Sequence, residues 1–219
     1  MAIPLQHAIG ALPDLALIPG LGPAGLTLRR GRTHEICGPA RRVLAVLALA
    51  SAEGPVLWGQ PGWIADRLCP AGVNDYADPG RFLFALARRP EDLLWAMEEG
   101  LRSGAAPVVV ADLPAPPALT PMRRLQLAAE AGAEAARPHR RPPPLGLVLT
   151  PGEGGAAGAE SRWHMAPAPA PAPRLDQARA PRRWRLERRR ARTLPPAAWV
   201  VAEAAEGGFG AEPRGEAIA

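Results

Sequence analysis

The 219-residue chain predicts an α/β fold, with a mostly parallel sheet flanked by helices and a C-terminal antiparallel hairpin extension. Three observations carry that expectation. Up to residue 149, short apolar runs alternate with amphipathic stretches, as strands joined by helical crossovers do. Beyond residue 160 the runs continue without helices between them, which is how antiparallel strands read. Apolar residues make up 47% of a chain whose length suits one domain, enough to bury a core.

Residues 1–31 are apolar but broken by Pro4, Pro13, Pro19, Pro23 and several glycines, so an irregular lead-in is expected. Residues 32–37 read as a strand, Gly38-Pro39 as a turn, and the Ala/Leu-rich residues 40–51 as a buried helix. Residues 55–58 and 82–86 are the next strands. Pro90-Glu91-Asp92 opens a helix whose acidic first turn suits the positive helix end. Its Leu94, Met97 and Leu101 share one face, Glu98 and Glu99 fall on the outer one, and Gly104 closes it. Residues 107–111 are a β-branched strand ending at Asp112. Thr120-Pro121 marks a helix start with Thr120 as cap, running to about residue 136 with Leu125, Ala128 and Ala129 inward. Residues 145–149 are a buried strand, followed by the glycine-rich residues 151–158. Strands at 161–166 and 182–190 flank an Ala-Pro repeat at 166–173, which favours extended polyproline conformation. Residues 197–203 are the last strand, and the acidic residues 204–219 are expected to be disordered.

Composition narrows the chemistry. All 26 basic residues are arginine, as a GC-rich genome produces, so any mechanism that requires a lysine ammonium is excluded. The net charge is +5, and it is unevenly placed. Residues 162–192 hold ten arginines against Asp176 and Glu187, whereas from Glu203 onward four glutamates face only Arg214. A basic stripe before an acidic tail suits an anionic partner with the tail as competitor, and equally a solvated surface; charge leaves both readings open. Cys37 and Cys69 are far apart, which reads as reduced structural thiols in a cytoplasmic protein. No apolar run is long enough to span a membrane, and the first ten residues lack a basic signal-peptide start, so no membrane partner is expected.

Several strings, in order, resemble the RecA core. His34-Glu35-Ile36-Cys37-Gly38-Pro39 resembles the strand leading into the RecA phosphate loop. Residues 92–112 resemble the helix and strand ending in its metal-binding aspartate, and residues 122–149 the next helix and strand. Trp184-Arg185-Leu186-Glu187-Arg188 through Val201, with Pro195-Pro196 at the turn, resembles the late RecA hairpin. Within that RecA-like superfamily the chain is similar to the ImuA family, accessory proteins of an SOS-induced mutagenesis system. Gly54-Pro55-Val56-Leu57-Trp58, Pro61-Gly62-Trp63, residues 91–97 and Glu160-Ser161-Arg162-Trp163-His164 carry that similarity. The resemblance divides the chain into the 1–31 lead-in, a RecA-like core at 32–203 and the 204–219 tail.

The resemblance implies a protein that helps assemble an error-prone translesion synthesis complex. Its partners would be an ImuB-like Y-family polymerase homologue, an error-prone replicative-type DNA polymerase and RecA itself. Departures from the RecA pattern then imply that it works without catalysis. After Gly38-Pro39 the chain goes straight to Ala40-Arg41-Arg42-Val43, without the further glycines, lysine and hydroxyl of a phosphate loop. Gly59-Gln60-Pro61 comes after the second strand with no carboxylate until Asp66, so Asp112 alone matches the hydrolytic set. The alternative within the same reduced fold is a SulA-like inhibitor binding a tubulin-like polymer in cell division. The chain length and the C-terminal hairpin favour the first.

No other active site is apparent in the pattern. His34, His139 and His164 are scattered, none four residues from another histidine or cysteine, so no metal or other cofactor is expected. Ser51 and Ser161 lack the flanking glycines of a nucleophile elbow. For single-stranded DNA the glycine-rich loop is poor, having Glu153 and no arginine. Arg162, Arg183, Arg185, Arg188, Arg189 and Arg190 supply charge nearby, with Trp163 and Trp184 placed either to stack on bases or to form the buried face of a hairpin. Trp58 and Trp63 bracket Gly59-Gln60-Pro61-Gly62 at the end of a strand, where they either pack locally or dock a partner.

Overall fold

The computed structural model describes residues 14–170, 181–204 and 207–214. The first 13 residues of the expected 1–31 lead-in, residues 171–180 with the end of the Ala-Pro repeat, and residues 205–206 and 215–219 of the tail lie outside the described residues. The described chain opens on a small antiparallel pair, β1 (Leu15–Ala16) and β2 (Thr27–Leu28). Then β3 (Thr33–Cys37), β4 (Val56–Pro61), β5 (Phe82–Ala87), β6 (Val108–Asp112), β7 (Leu145–Thr150) and β8 (Ser161–Pro167) form a parallel sheet. Three antiparallel strands extend it: β9 (Arg183–Ala191), β10 (Ala197–Glu203) and β11 (Phe209–Arg214). The nine-stranded order is β11-β10-β9-β8-β3-β7-β6-β4-β5. This is the expected α/β architecture, mostly parallel with an antiparallel extension.

The central strands are apolar throughout because both of their faces are covered. In β6, Val108 and Val110 point into one core with Trp58, Leu147 and Leu149. Val109 and Ala111 point into the other with Val148. Helix α1 (Arg41–Ala50) buries residues 44–49 against the first face, with the short α2 (Pro70–Asn74) beside it. Helices α3 (Pro90–Ser103) and α4 (Leu119–Ala136) cover the second, through Leu93, Met97, Leu101, Met122, Leu125 and Ala129. Gly104, at φ +60, ends α3, and a Cβ at Gly132 would run into the Leu101 carbonyl. That glycine is what lets α4 approach the end of α3 so closely.

Three expectations change, and the irregular lead-in gains a role. Residues 14–28 are irregular apart from β1, β2 and one short helical turn at Gly22–Ala24, yet Leu15, Leu17, Ile18, Leu26 and Leu28 are fully or almost fully buried against Trp163, Trp184, Trp199 and Val201. They cover the face of the antiparallel extension that no helix reaches. The tail is not uniformly disordered, since residues 209–214 form β11, whose Phe209 packs 6.5 Å from Trp184. Helix α4 begins one residue before Thr120, with Ala118 at the cap position and no side-chain capping bond. Glu98 is buried, not on an outer face, because Arg102 of α3 and Arg124 of α4 both reach its carboxylate.

His34 ties these parts together. Its ring is buried, with Nδ1 2.6 Å from Ser161 Oγ on β8 and Nε2 3.0 Å from the Arg29 carbonyl. Burial pushes its pKa down to about 4, against smaller upward contributions from the Arg29 carbonyl, Glu160 and Asp14. A depressed histidine leaves stability intact above the ordinary value of 6.5 and removes it as pH falls toward the folded value. Urea unfolding at pH 7.5 and pH 5 should therefore show wild type losing about 2 kcal/mol more than a His34→Asn variant. Equal pH dependence in the two proteins would contradict this.

Candidate functional site

Ligands of parallel α/β sheets gather at the carboxyl ends of the strands, and here that edge is filled by ion pairs. The tight turn after β3 places Gly38 at φ +93, and a Cβ there would meet the Met165 carbonyl and the His164 ring. Ala40 N donates to Met165 O at 3.0 Å and Arg41 N to Gly38 O at 3.2 Å, so these amides are already used. Helix α1 then begins with two arginines. Arg41 Nε lies 3.5 Å from Asp112 Oδ1 and Arg42 Nε 2.5 Å from Asp112 Oδ2. Arg42 also reaches Asp66, beyond β4, at 2.5 Å.

The electrostatics of this cluster are legible from its parts. Two guanidinium groups at a helix N-terminus oppose the helix dipole. Asp112, 3% exposed at the end of β6, offsets them. Burial works against the Arg42 charge, but Asp112 and then Asp66 outweigh it and hold its pKa above the ordinary arginine value. Trp58 belongs to the core beneath, 6.0 Å from Phe82 and fully buried. It therefore cannot dock a partner as considered from the sequence, whereas Trp63 is 50% exposed.

A second cluster organises the glycine-rich loop and the hairpin. Glu35 on β3 is fully buried, and its Oε1 accepts from Thr150 Oγ1 at 2.8 Å, Gly155 N at 2.8 Å and Ala156 N at 3.0 Å. Arg162 donates to Oε2. Burial alone would raise the Glu35 pKa; these donors overcome it and hold the carboxyl below its usual range. Arg185 and Arg189 both pair with Glu187, and Arg189 also with Glu153 of the loop. His164 lies 3.9 Å from Glu153 and 3.8 Å from Glu187, its pKa lowered by burial and then by Arg189.

The structure thus disperses the six hairpin arginines. Arg162, Arg185 and Arg189 are neutralised by carboxylates, and only Arg183 and Arg190 make no ion pair among the described residues while remaining open to solvent. Arg188 is 7% exposed, its guanidinium 5.6 Å from the Trp163 ring centre and 5.3 Å from that of Trp199. Its Nε donates to Pro195 O at 3.0 Å, and burial lowers its pKa. Trp163 and Trp184 are buried, so neither is available to stack on a base. Charge counting along the chain missed this because the neutralising glutamates include Glu35 of β3 and Glu153 of the loop after β7, outside the basic stripe. Among the described residues no group of histidine, cysteine or carboxylate side chains is placed to hold a metal, and no helix is long and apolar enough to cross a membrane.

The fold and this edge define a class: an α/β protein on a mostly parallel sheet, with an arginine–carboxylate cluster where such sheets receive ligands. The particular family comes from comparison. The chain is similar to protein ImuA from two strains of Caulobacter vibrioides, 33% identical over 221 aligned residues that cover 90% of this chain and 84% of the relative. It belongs to the ImuA family. No family model matches it.

Two outcomes test the geometry. Asp112→Ala leaves Arg41 without a carboxylate and Arg42 with Asp66 alone at a helix start, and should cost about 3 kcal/mol in urea unfolding, with Asp112→Asn milder. Arg188→Ala should lower stability by about 2–4 kcal/mol by removing a packed cation, with Arg188→Lys failing to restore it. An unfolding series in which either alanine variant matches wild type would refute its part.

Proposed function

We propose that the chain is a RecA-like, non-catalytic accessory protein that assembles an error-prone translesion synthesis complex in the bacterial DNA-damage response. Its membership of the ImuA family supports that setting and favours it over the division-inhibitor reading. The observation that carries the non-catalytic part is the Arg41–Asp112–Arg42–Asp66 cluster. It takes up the aspartate, the helix start and the space where a RecA-like ATPase would hold phosphate and Mg²⁺.

In this reading the protein acts in the cytoplasm by docking. Its partners are an ImuB-like Y-family polymerase homologue, an error-prone replicative-type DNA polymerase and RecA. Single-stranded DNA is contacted by charge alone, through Arg183 and Arg190, because the tryptophans of the hairpin are buried.

Four measurements bear on this. Capture on the purified protein from a damage-treated lysate should recover the Y-family homologue. Recovery of a division protein, or of nothing damage-induced, would count against the reading. Millimolar ATP with Mg²⁺ should leave the melting temperature unchanged. Binding to oligo-dT should weaken with salt at a log–log slope no steeper than about −2, as expected for two or three phosphate contacts. A steep slope, or phosphate release above background, would overturn the charge assignment or the non-catalytic assignment respectively.

A further inference from the structure

At the amino ends of the parallel strands, opposite the Asp112 cluster, lies a second concentration of arginine. The segments leading into β3, β4, β6 and β7 meet there around a cleft of about 600 Å³. Arg30 enters it ahead of β3, and Arg140 and Arg141 enter it between α4 and β7. Arg140 and Arg141 are exposed and Arg30 is half-buried. None of the three makes an ion pair among the described residues, in contrast to the arginines at the carboxyl ends of the strands. Glu53 is the one carboxylate in the lining.

The cleft is preformed. Gly31 N donates to Pro144 O at 2.9 Å and Leu145 N to Pro107 O at 3.0 Å, so three of the four segments are tied to one another. Pro55, Pro107 and Pro142 supply rigid walls that carry no N–H of their own. Arg140 N donates to Arg137 O at 3.0 Å and Arg141 N to Ala136 O at 3.2 Å, which fixes the backbone of both exposed arginines. The negative end of a helix attracts cations, but Arg137 and His139 already serve that end. Arg140 stands at φ +54, the one non-glycine in the left-handed region among the described residues, where a glycine would sit without strain. Deeper in, Arg30 Nη1 and Ser51 Oγ are buried with no hydrogen-bond partner. Burial lowers the Arg30 pKa, and Asp14 offsets only part of that. Buried donors without an acceptor are costly, and an acceptor-rich ligand in the cleft would serve both.

We propose that this cleft binds a small, metal-free phosphomonoester, with its phosphate on Arg30, Arg140 and Arg141 and its apolar body against the proline walls. Guanidinium forks match the spacing of phosphate oxygens, and Ser51 adds a hydroxyl at the floor. Three guanidinium groups against one carboxylate suit a dianion better than a lone carboxylate ligand. A nucleic-acid strand fits less well. Glu53 and the prolines interrupt the positive surface, and no aromatic ring lines the cleft for a base to stack on. Magnesium-bound nucleotides fall outside the class, because the metal takes the oxygens that the guanidinium groups would bind. The proposal does not rest on the mutagenesis reading, and its site lies at the opposite end of the strands from the Asp112 cluster.

The test titrates the isotope-labelled full chain with phenyl phosphate at constant ionic strength. The amide signals of Glu53, Gly54, Arg140 and Arg141 should move and saturate, with half-saturation at about 1 mM or below. An Arg140→Gly/Arg141→Ala double variant should melt no lower than wild type, since both side chains are exposed and glycine accepts the left-handed φ. Its binding should nonetheless weaken by about tenfold or more. Absence of saturable movement at these four residues would overturn the site. Binding that survives undiminished in the double variant would overturn the arginine assignment. Oligo-dT that moves the same signals at a lower phosphate concentration than phenyl phosphate does would overturn the small-ligand assignment in favour of nucleic acid.

Discussion

Buried carboxylate held by guanidinium is the constraint on which the rest of this structure depends. With no lysine in the chain, every side-chain cation that a buried acid can recruit, histidine apart, is a planar fork. Asp112 makes the consequence concrete: one side chain at the end of β6 gathers both arginines of the first turn of α1, and Arg42 passes the contact on to Asp66. Strand β6, helix α1 and the segment after β4 are thereby fixed at the edge where parallel sheets usually stay open for a ligand. The attraction exceeds the burial cost only because each partner is in place, and loss of one leaves the others charged and poorly solvated.

Glu35 repeats the arrangement one strand away from β7 with a different result. Its carboxylate collects two loop amides, a hydroxyl and Arg162, so the glycine-rich loop after β7 is pinned to β3 and β8. Glu153 of that loop then meets Arg189 of β9. A loop whose sequence suggests freedom is thus held at both Glu153 and residues 155–156, and three of the six arginines that suggest an anion-binding stripe, Arg162, Arg185 and Arg189, are spent on glutamates of the same chain. Arg188 is held without an acid. Two indole faces and a carbonyl surround it instead, which suits a cation lodged in an apolar layer.

The covering of the sheet comes from connectivity. Crossovers supply α1 to one face and α3 and α4 to the other, but strands joined by hairpins bring no helices with them. The apolar face of β8–β10, with Trp163, Trp184, Trp199 and Val201, would face water if the chain began at β3. Residues 14–28 close it, and this explains why a segment so rich in proline and glycine is nonetheless apolar. At the far end β5 receives no such cover, and its hydrophobic side chains remain at the surface.

By itself the sequence determined the class of fold and the identity of most elements, though not β1, β2, α2 or β11. Apolar periodicity is a local property, and β6, β7, α1 and α3 stand within a residue or two of where their patterns put them. It also excluded the chemistry that lysine would have carried, and it left Asp112 as the one match to a hydrolytic set. Only the tertiary structure decided which charges meet. Glu35 and Arg162 are 127 residues apart, Arg42 and Asp112 are 70, and no window along the chain reveals such partners. For the same reason Glu98 reads as surface until α4 brings Arg124 to it, and Trp58 reads like Trp63 until Phe82 covers it. Burial depends on what the rest of the chain lays over a residue, and that is settled by packing at long sequence separation, not by the residue's neighbours.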